Sequence, residues 1–345
     1  MRSLPPSRLM FVPLLLAGAV PVQAADALTG MRFDHHDWTI ACDNTRTCRA
    51  AGYQADNGDR EPLSVLLTRA GGPNQAVTAE LMLGVYDEST PPVKPRLRIN
   101  GQDLGAVAET GAGPLSAAQT AALLKALTRD STILVVSADK RQWQLSDRGA
   151  SAVLLKMDEF QGRLHTPGAL LRKGNRPEAT VLPAVPVPVV RQAALVATRP
   201  GDAALAGSAA LRAALKTSLA PDACDVLVSG ERVEPLTVRR LSADKLLVST
   251  QCWMGAYNVG EGYWVTNDRA PFNPQLVTTS GSDEDEGSIH AAHKIRGLGD
   301  CWSSDSWTWD GRRFVHTADA TTGMCRLVAA GGAWDMPILV TRVVK

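Results

Sequence analysis

Four short runs in the chain hold residue types that chemistry uses. His290 and His293 stand three apart, a spacing that on a helix would bring two imidazoles together as metal ligands. Gly287-Ser288 before them and Gly297 after them point to a strand or loop instead, where such a pair faces opposite sides. No third ligand accompanies them, so no metal site is expected. Asp283-Glu284-Asp285-Glu286 clusters carboxylates as a hard cation wants, but the closing bidentate glutamate of an EF-hand is missing. An exposed acidic loop is the plainer reading. His35-His36-Asp37 sets an imidazole beside a carboxylate, the parts of a general base, with no motif placing a nucleophile. The fourth run is Trp307-Thr308-Trp309, where strand alternation puts both indoles on one face.

Tryptophan and arginine are enriched where proteins bind partners. Trp302, Trp307, Trp309 and Arg312 are therefore the candidate binding surface, with filling of a small core as the competing use of the rings. No Gly-x-Ser-x-Gly elbow, phosphate loop or dinucleotide fingerprint occurs in the sequence. No cofactor and no catalytic residue are expected from motifs. Catalytic groups can still assemble from distant positions, so a hydrolase is kept as the second class.

The elements that must position these residues begin with an export signal. Arg2 and Arg8 precede an apolar run over 9–20, and Val22-Gln23-Ala24 forms a small-residue cleavage site before Ala25. The run is too short, and too broken by Pro13, for a spanning helix of roughly 20 residues. The first cysteine is Cys42, so a lipid-anchored cysteine at the cleavage point is not expected. The expectation is a periplasmic or secreted protein without a transmembrane anchor. Of 36 basic and 35 acidic side chains, Arg2 and Arg8 leave with the signal, which turns the formal charge from +1 to −1. Such a balance does not serve phosphate-backbone binding, and nucleic acid is set aside as a partner.

All six cysteines lie after the signal: Cys42, Cys48, Cys224, Cys252, Cys301 and Cys325. An even count in an oxidising compartment reads as disulfides. Cys42 and Cys48 close a short loop far from the others and are expected to pair. The simplest division of the rest is Cys224–Cys252 and Cys301–Cys325.

Strand-like alternation marks 63–68, 76–86 and 96–99, with Asn100-Gly101 as a hairpin turn. Ser116 can cap a helix carrying Leu123, Leu124 and Leu127, and a second helix is predicted over 149–161. The prolines of Leu182-Pro183-Ala184-Val185-Pro186-Val187-Pro188 forbid a central strand and predict an extended connector. Beyond it, 203–219 reads as one helix. Short strands follow, among them a hairpin at Asp310-Gly311, in a region that holds six of the eight tryptophans.

Several of these stretches together carry a family likeness. Trp38, Cys42-Asp43-Asn44, Cys48 to Tyr53, the run over 154–163 and Gly297-Leu298-Gly299-Asp300-Cys301 resemble domain of unknown function family 1176. The stretch from Trp307 to Phe314 completes that likeness. The resemblance implies an exported bacterial protein and brings no established activity. The N-terminal half is more distantly similar to invasion-associated locus B proteins, which implies an envelope role near the cell surface.

The expected fold class is α+β, predominantly antiparallel β, with two β-rich domains each covered by one or two helices. The boundaries are 1–24 for the signal, 25–172 for the first domain, 173–202 for the proline-rich linker and 203–345 for the tryptophan-rich second domain. The expected function is non-enzymatic binding of an unknown protein or envelope component. The alternative is a periplasmic hydrolase of cell-wall or small polar substrates.

Overall fold

A computed structural model describes residues 28–57, 61–84, 90–229 and 233–345. The export signal, its cleavage site and positions 85–86 of an expected strand lie outside the described residues. Five strands open the fold as an antiparallel meander: β1 (Met31–His35), β2 (Trp38–Cys42), β3 (Cys48–Tyr53), β4 (Leu63–Arg69) and β5 (Thr78–Leu83). Next come β6 (Arg96–Ile99), β7 (Gln102–Ala106), β8 (Ala112–Pro114), β9 (Ile133–Val136) and β10 (Gln142–Leu145). β8 extends the first sheet beside β5, while β10-β9-β6-β7 form a second sheet.

Local chemistry sets several of these joints. Asn100 and Gly101 adopt positive φ of 50° and 84°, the two-residue hairpin turn that joins Ile99 to Gln102. Ser116 opens α1 (Ala117–Ala126) through a capping box with Gln119. α2 (Ala150–Phe160) follows β10. Both helices lend residues to a core with Trp38, Ile40, Leu63, Val65, Leu67 and Trp143.

The first sheet is covered on its second face as well. Ala41, Ala51, Tyr53 and Leu66 pack against Val328, Trp334 and Met336 from the end of the chain. That second cover explains why every residue of β2 is buried, including the small Thr39 and Ala41 that alternate with Trp38 and Ile40.

The proline-rich stretch is extended and tied down. The Val185 N–H donates to the Thr45 carbonyl across 3.1 Å, and Arg46 Nη1 donates to the Pro183 carbonyl across 2.5 Å. β11 (Val189–Arg191) then runs parallel to the last strand of the chain.

The single helix expected over 203–219 is broken in two, α3 (Asp202–Leu205) and α4 (Ala209–Thr217). Gly207 and Ser208 lie between them, and the Ser208 hydroxyl caps α4 by accepting from the Leu211 N–H. After α5 (Asp225–Ser229), a four-stranded sheet forms from β12 (Thr237–Arg240), β13 (Lys245–Met254), β14 (Val259–Asn267) and β15 (Gln275–Gly281). A five-stranded sheet follows: β16 (Asp283–Asp285), β17 (Ser288–Lys294), β18 (Trp302–Trp309), β19 (Phe314–Thr321) and β20 (Met336–Leu339). β21 (Arg342–Val344) is the partner of β11. Leu247, Tyr263 and Val265 of one sheet meet Ile289, Trp309 and Phe314 of the other.

The fold is thus α+β and mainly antiparallel. The disulfides are Cys42–Cys48, Cys224–Cys252 and Cys301–Cys325. Among the described residues, no helix is long and apolar enough to cross a membrane.

Candidate functional site

The pairing of β18 with β19 sets Asp305 and Asp319 directly opposite each other. The register then shifts between Ser306 and Trp307, leaving Thr317 as the extra residue of a bulge. His316 and Asp319 are three apart and would face opposite sides of a regular strand. The inserted residue returns both to one face. Asp305 and Trp307, two apart, share that face on β18. The contacts agree: His316 Nε2 lies 2.9 Å from Asp305 Oδ1, and its ring stacks on Trp307 at 5.0 Å with 19° between planes. Thr317 is buried and gives its hydroxyl hydrogen to the Ser306 carbonyl at 3.1 Å.

Arg32 reaches this face from β1, its Nη2 standing 3.4 Å from Asp319 Oδ1. A depression of about 350 Å³ lies at that end, lined by Arg32, Asp34, Thr321, Met324 and Arg326 among others. A second, of about 260 Å³, is lined by Trp307, Phe314, His316 and residues of β15. Arg32 joins Asp319 to the first, and His316 joins Asp305 to the second. The four side chains thus run along one sheet face from the depression at β1 to the depression beside β15, and this stretch is the candidate cleft.

Electrostatics distinguish the two acids. Burial, followed by the charge of Asp305, raises the Asp319 carboxyl above its ordinary value, while Arg32 pulls it back. The hydrogen bond to Asp305 raises the His316 imidazole, against the opposing effect of burial. The cleft floor thus offers a carboxyl raised above its ordinary value, a second carboxyl hydrogen-bonded to an imidazole, and a guanidinium. This set can bind hydroxyls in both senses and can hold or give up a proton.

The four residues expected to form one binding surface are divided. Trp309 is fully buried, 5.5 Å from Phe314, and is core. Trp302 lies on the other side of β18 from Trp307, because an odd separation reverses the face. Its indole N–H donates to the Gly299 carbonyl at 3.0 Å. Arg312 is exposed in the turn between β18 and β19, where Asp310 Oδ1 accepts from the N–H groups of Arg312 and Arg313. Of the four, Trp307 alone lines the cleft.

The other candidate runs are placed elsewhere. His290 meets Ser306 Oγ at 3.1 Å and His293 meets the Ser280 carbonyl at 2.8 Å, on opposite sides of β17. In the acidic run, Glu284 pairs with Arg239 at 2.6 Å and caps the Gly287 N–H. His35 and His36 stand 4.4 Å apart, ring to ring, and are exposed. Asp37 is buried instead, between Ser146 at 2.6 Å and Arg326 at 3.0 Å. Asp300, Cys301 and Cys325 gather closely, but the sulfurs are bonded to each other and Asp300 is engaged by Arg296.

Sequence reasoning missed Arg32, Asp305, His316 and Asp319. Asp305 lies two residues ahead of Trp307, before the strand expected from Trp307 onward, so only alternation extended backward could have reached it. The other three had no signal, because a bulge and a contact between distant strands leave no local pattern.

The family described as Protein of unknown function (DUF1176) matches residues 32–341. The chain belongs to that family. Uncharacterized protein YpfG of Escherichia coli (strain K12) is similar to this DUF1176 chain, with 25% identity over 356 residues and 94% of each protein covered. Invasion associated protein B from Bartonella henselae is a structural neighbour at 14% identity and a TM-score of 0.27, covering 38% of this chain and 99% of that one. The DUF1176 match includes every residue of the cleft floor, from Arg32 to Asp319.

Proposed function

We propose that the chain is an exported envelope protein that binds a polar ligand in this cleft. The observation that carries this reading is the array of Trp307, His316, Asp305, Asp319 and Arg32 along one sheet face, with a depression at either end. Sites of this kind join a few placed polar groups to an apolar wall. Three disulfides support an oxidising compartment. The chain is read as two β-rich domains around the proline-rich connector, with Arg32 and Asp319 meeting where the two adjoin.

Capture from a native envelope extract tests this, comparing the disulfide-bonded protein from Ala25 onward with its Trp307→Ala variant. A component retained by the first and lost by the second supports the reading. Equal retention by both, or by neither, counts against it.

One observation favours hydrolysis as a second reading. Asp319, with its raised carboxyl, faces Asp305 across the strand pair, and two carboxyl groups set opposite each other are the parts used in glycoside cleavage. Release of product from a bound ligand, abolished by Asp319→Asn, would decide for it.

A further inference from the structure

We propose that the ligand of this cleft is a saccharide, an inference that rests on the binding reading above. The charges on the floor disfavour the alternatives. Arg32 and His316 are each matched by a carboxyl, so the floor has no surplus positive charge to attract an anion. Each acid already holds a cationic or proton-bearing partner, Arg32 for Asp319 and His316 for Asp305, which a cationic ligand would have to displace. A neutral ring bearing hydroxyls meets neither obstacle. Each hydroxyl donates one hydrogen bond and accepts others, so carboxyl oxygens can accept from it while the Arg32 guanidinium donates to its oxygen.

The aromatic wall fits the rest of such a ring. Trp307 is half-buried, and His316 stacks on it at 5.0 Å, which holds the indole in place beside the cavity. A sugar ring presents C–H groups on its faces and hydroxyls on its rim, so it can lay an apolar face on an indole while its rim reaches polar groups. Depressions of about 350 and 260 Å³ with the carboxylates between them suit an elongated occupant, so an oligosaccharide is expected rather than a single ring.

The test uses the disulfide-bonded protein from Ala25 onward and three soluble tetrasaccharides, built of N-acetylglucosamine, glucose and mannose. Binding is read by tryptophan fluorescence and titration calorimetry. At least one should bind, with affinity weakened about tenfold or more by Trp307→Ala, the loss of one stacked aromatic contact. Asp305→Asn should weaken it as well, and Trp302→Ala, on the other side of β18, should not. Near-UV circular dichroism checks the fold of each variant, and Trp307→Phe replaces Trp307→Ala if the latter fails to fold. Absence of saccharide binding, or binding indifferent to all cleft variants, overturns the proposal. If the saccharides fail while an envelope component is still captured in a Trp307-dependent way, the saccharide inference falls and the binding reading stands.

Discussion

Trp334 donates its indole N–H to the hydroxyl of Ser64 across 2.7 Å, joining two buried side chains 270 residues apart. Ser64 donates its own hydroxyl hydrogen to the Gly52 carbonyl at 2.8 Å. The end of the chain is thereby locked into the second face of the first sheet. Trp334→Phe should cost about 1–2 kcal/mol from the lost hydrogen bond, and Trp334→Ala about 3–5 kcal/mol. Urea unfolding should show both halves losing stability together in one transition. Two separate transitions, with only one moved, would contradict the shared core.

Arg69 and Asp158 form a buried ion pair at 2.6 Å. Asp158 also accepts from the N–H groups of Leu170 and Leu171 at 2.8 Å, and Gln161 accepts from Arg69 Nε at 2.7 Å. Removing one partner leaves a buried charge, so Arg69→Met should destabilise by about 3–5 kcal/mol. Asp158→Ala should cost more, because it also strands two backbone donors. Chemical denaturation orders the two variants, and the reverse order would show the backbone contacts to be unimportant.

His316 titrates above its ordinary 6.5 because Asp305 holds its proton. A raised folded value means that its contribution to stability is complete below the unfolded value and is lost as pH rises through the folded one. Proton NMR should place the His316 midpoint above 6.5, and Asp305→Asn should lower it. A midpoint unmoved by that substitution would remove Asp305 as the cause.

Asp202 is held down to about 2 chiefly by its hydrogen bonds to Arg240, made at 2.5 and 2.9 Å. A depressed carboxyl contributes stability above its ordinary value, 3.8, and loses it as pH falls toward about 2. Asp202→Asn should therefore lower the melting temperature at neutral pH and flatten its decline in acid. A variant with an unchanged acid profile would assign that decline to other carboxylates.

The motif over 154–163 that carries the family resemblance turns out to be a clamp. Asp158, Gln161 and Arg163 hold Arg69, the loop after it, and Glu178. Gly299-Asp300-Cys301 acts similarly, since Asp300 accepts from Arg296 and from the Leu327 N–H. Such motifs were legible because they are local runs. Their roles were not, because most of the partners lie far along the chain.

By itself the sequence determined what depends on neighbours: the turn at Asn100-Gly101, the cap at Ser116, the extended prolines and the pairing of Cys42 with Cys48. These follow from steric and hydrogen-bonding rules that act within a few residues, or from the short loop that those two cysteines close. Only the tertiary structure decided which side chains share the cleft. One extra residue at Thr317 reverses the face of everything beyond it, and Arg32 meets Asp319 across 287 positions. Neither the bulge nor the long-range pairing leaves a periodic trace, because both arise from how strands from the two halves pack.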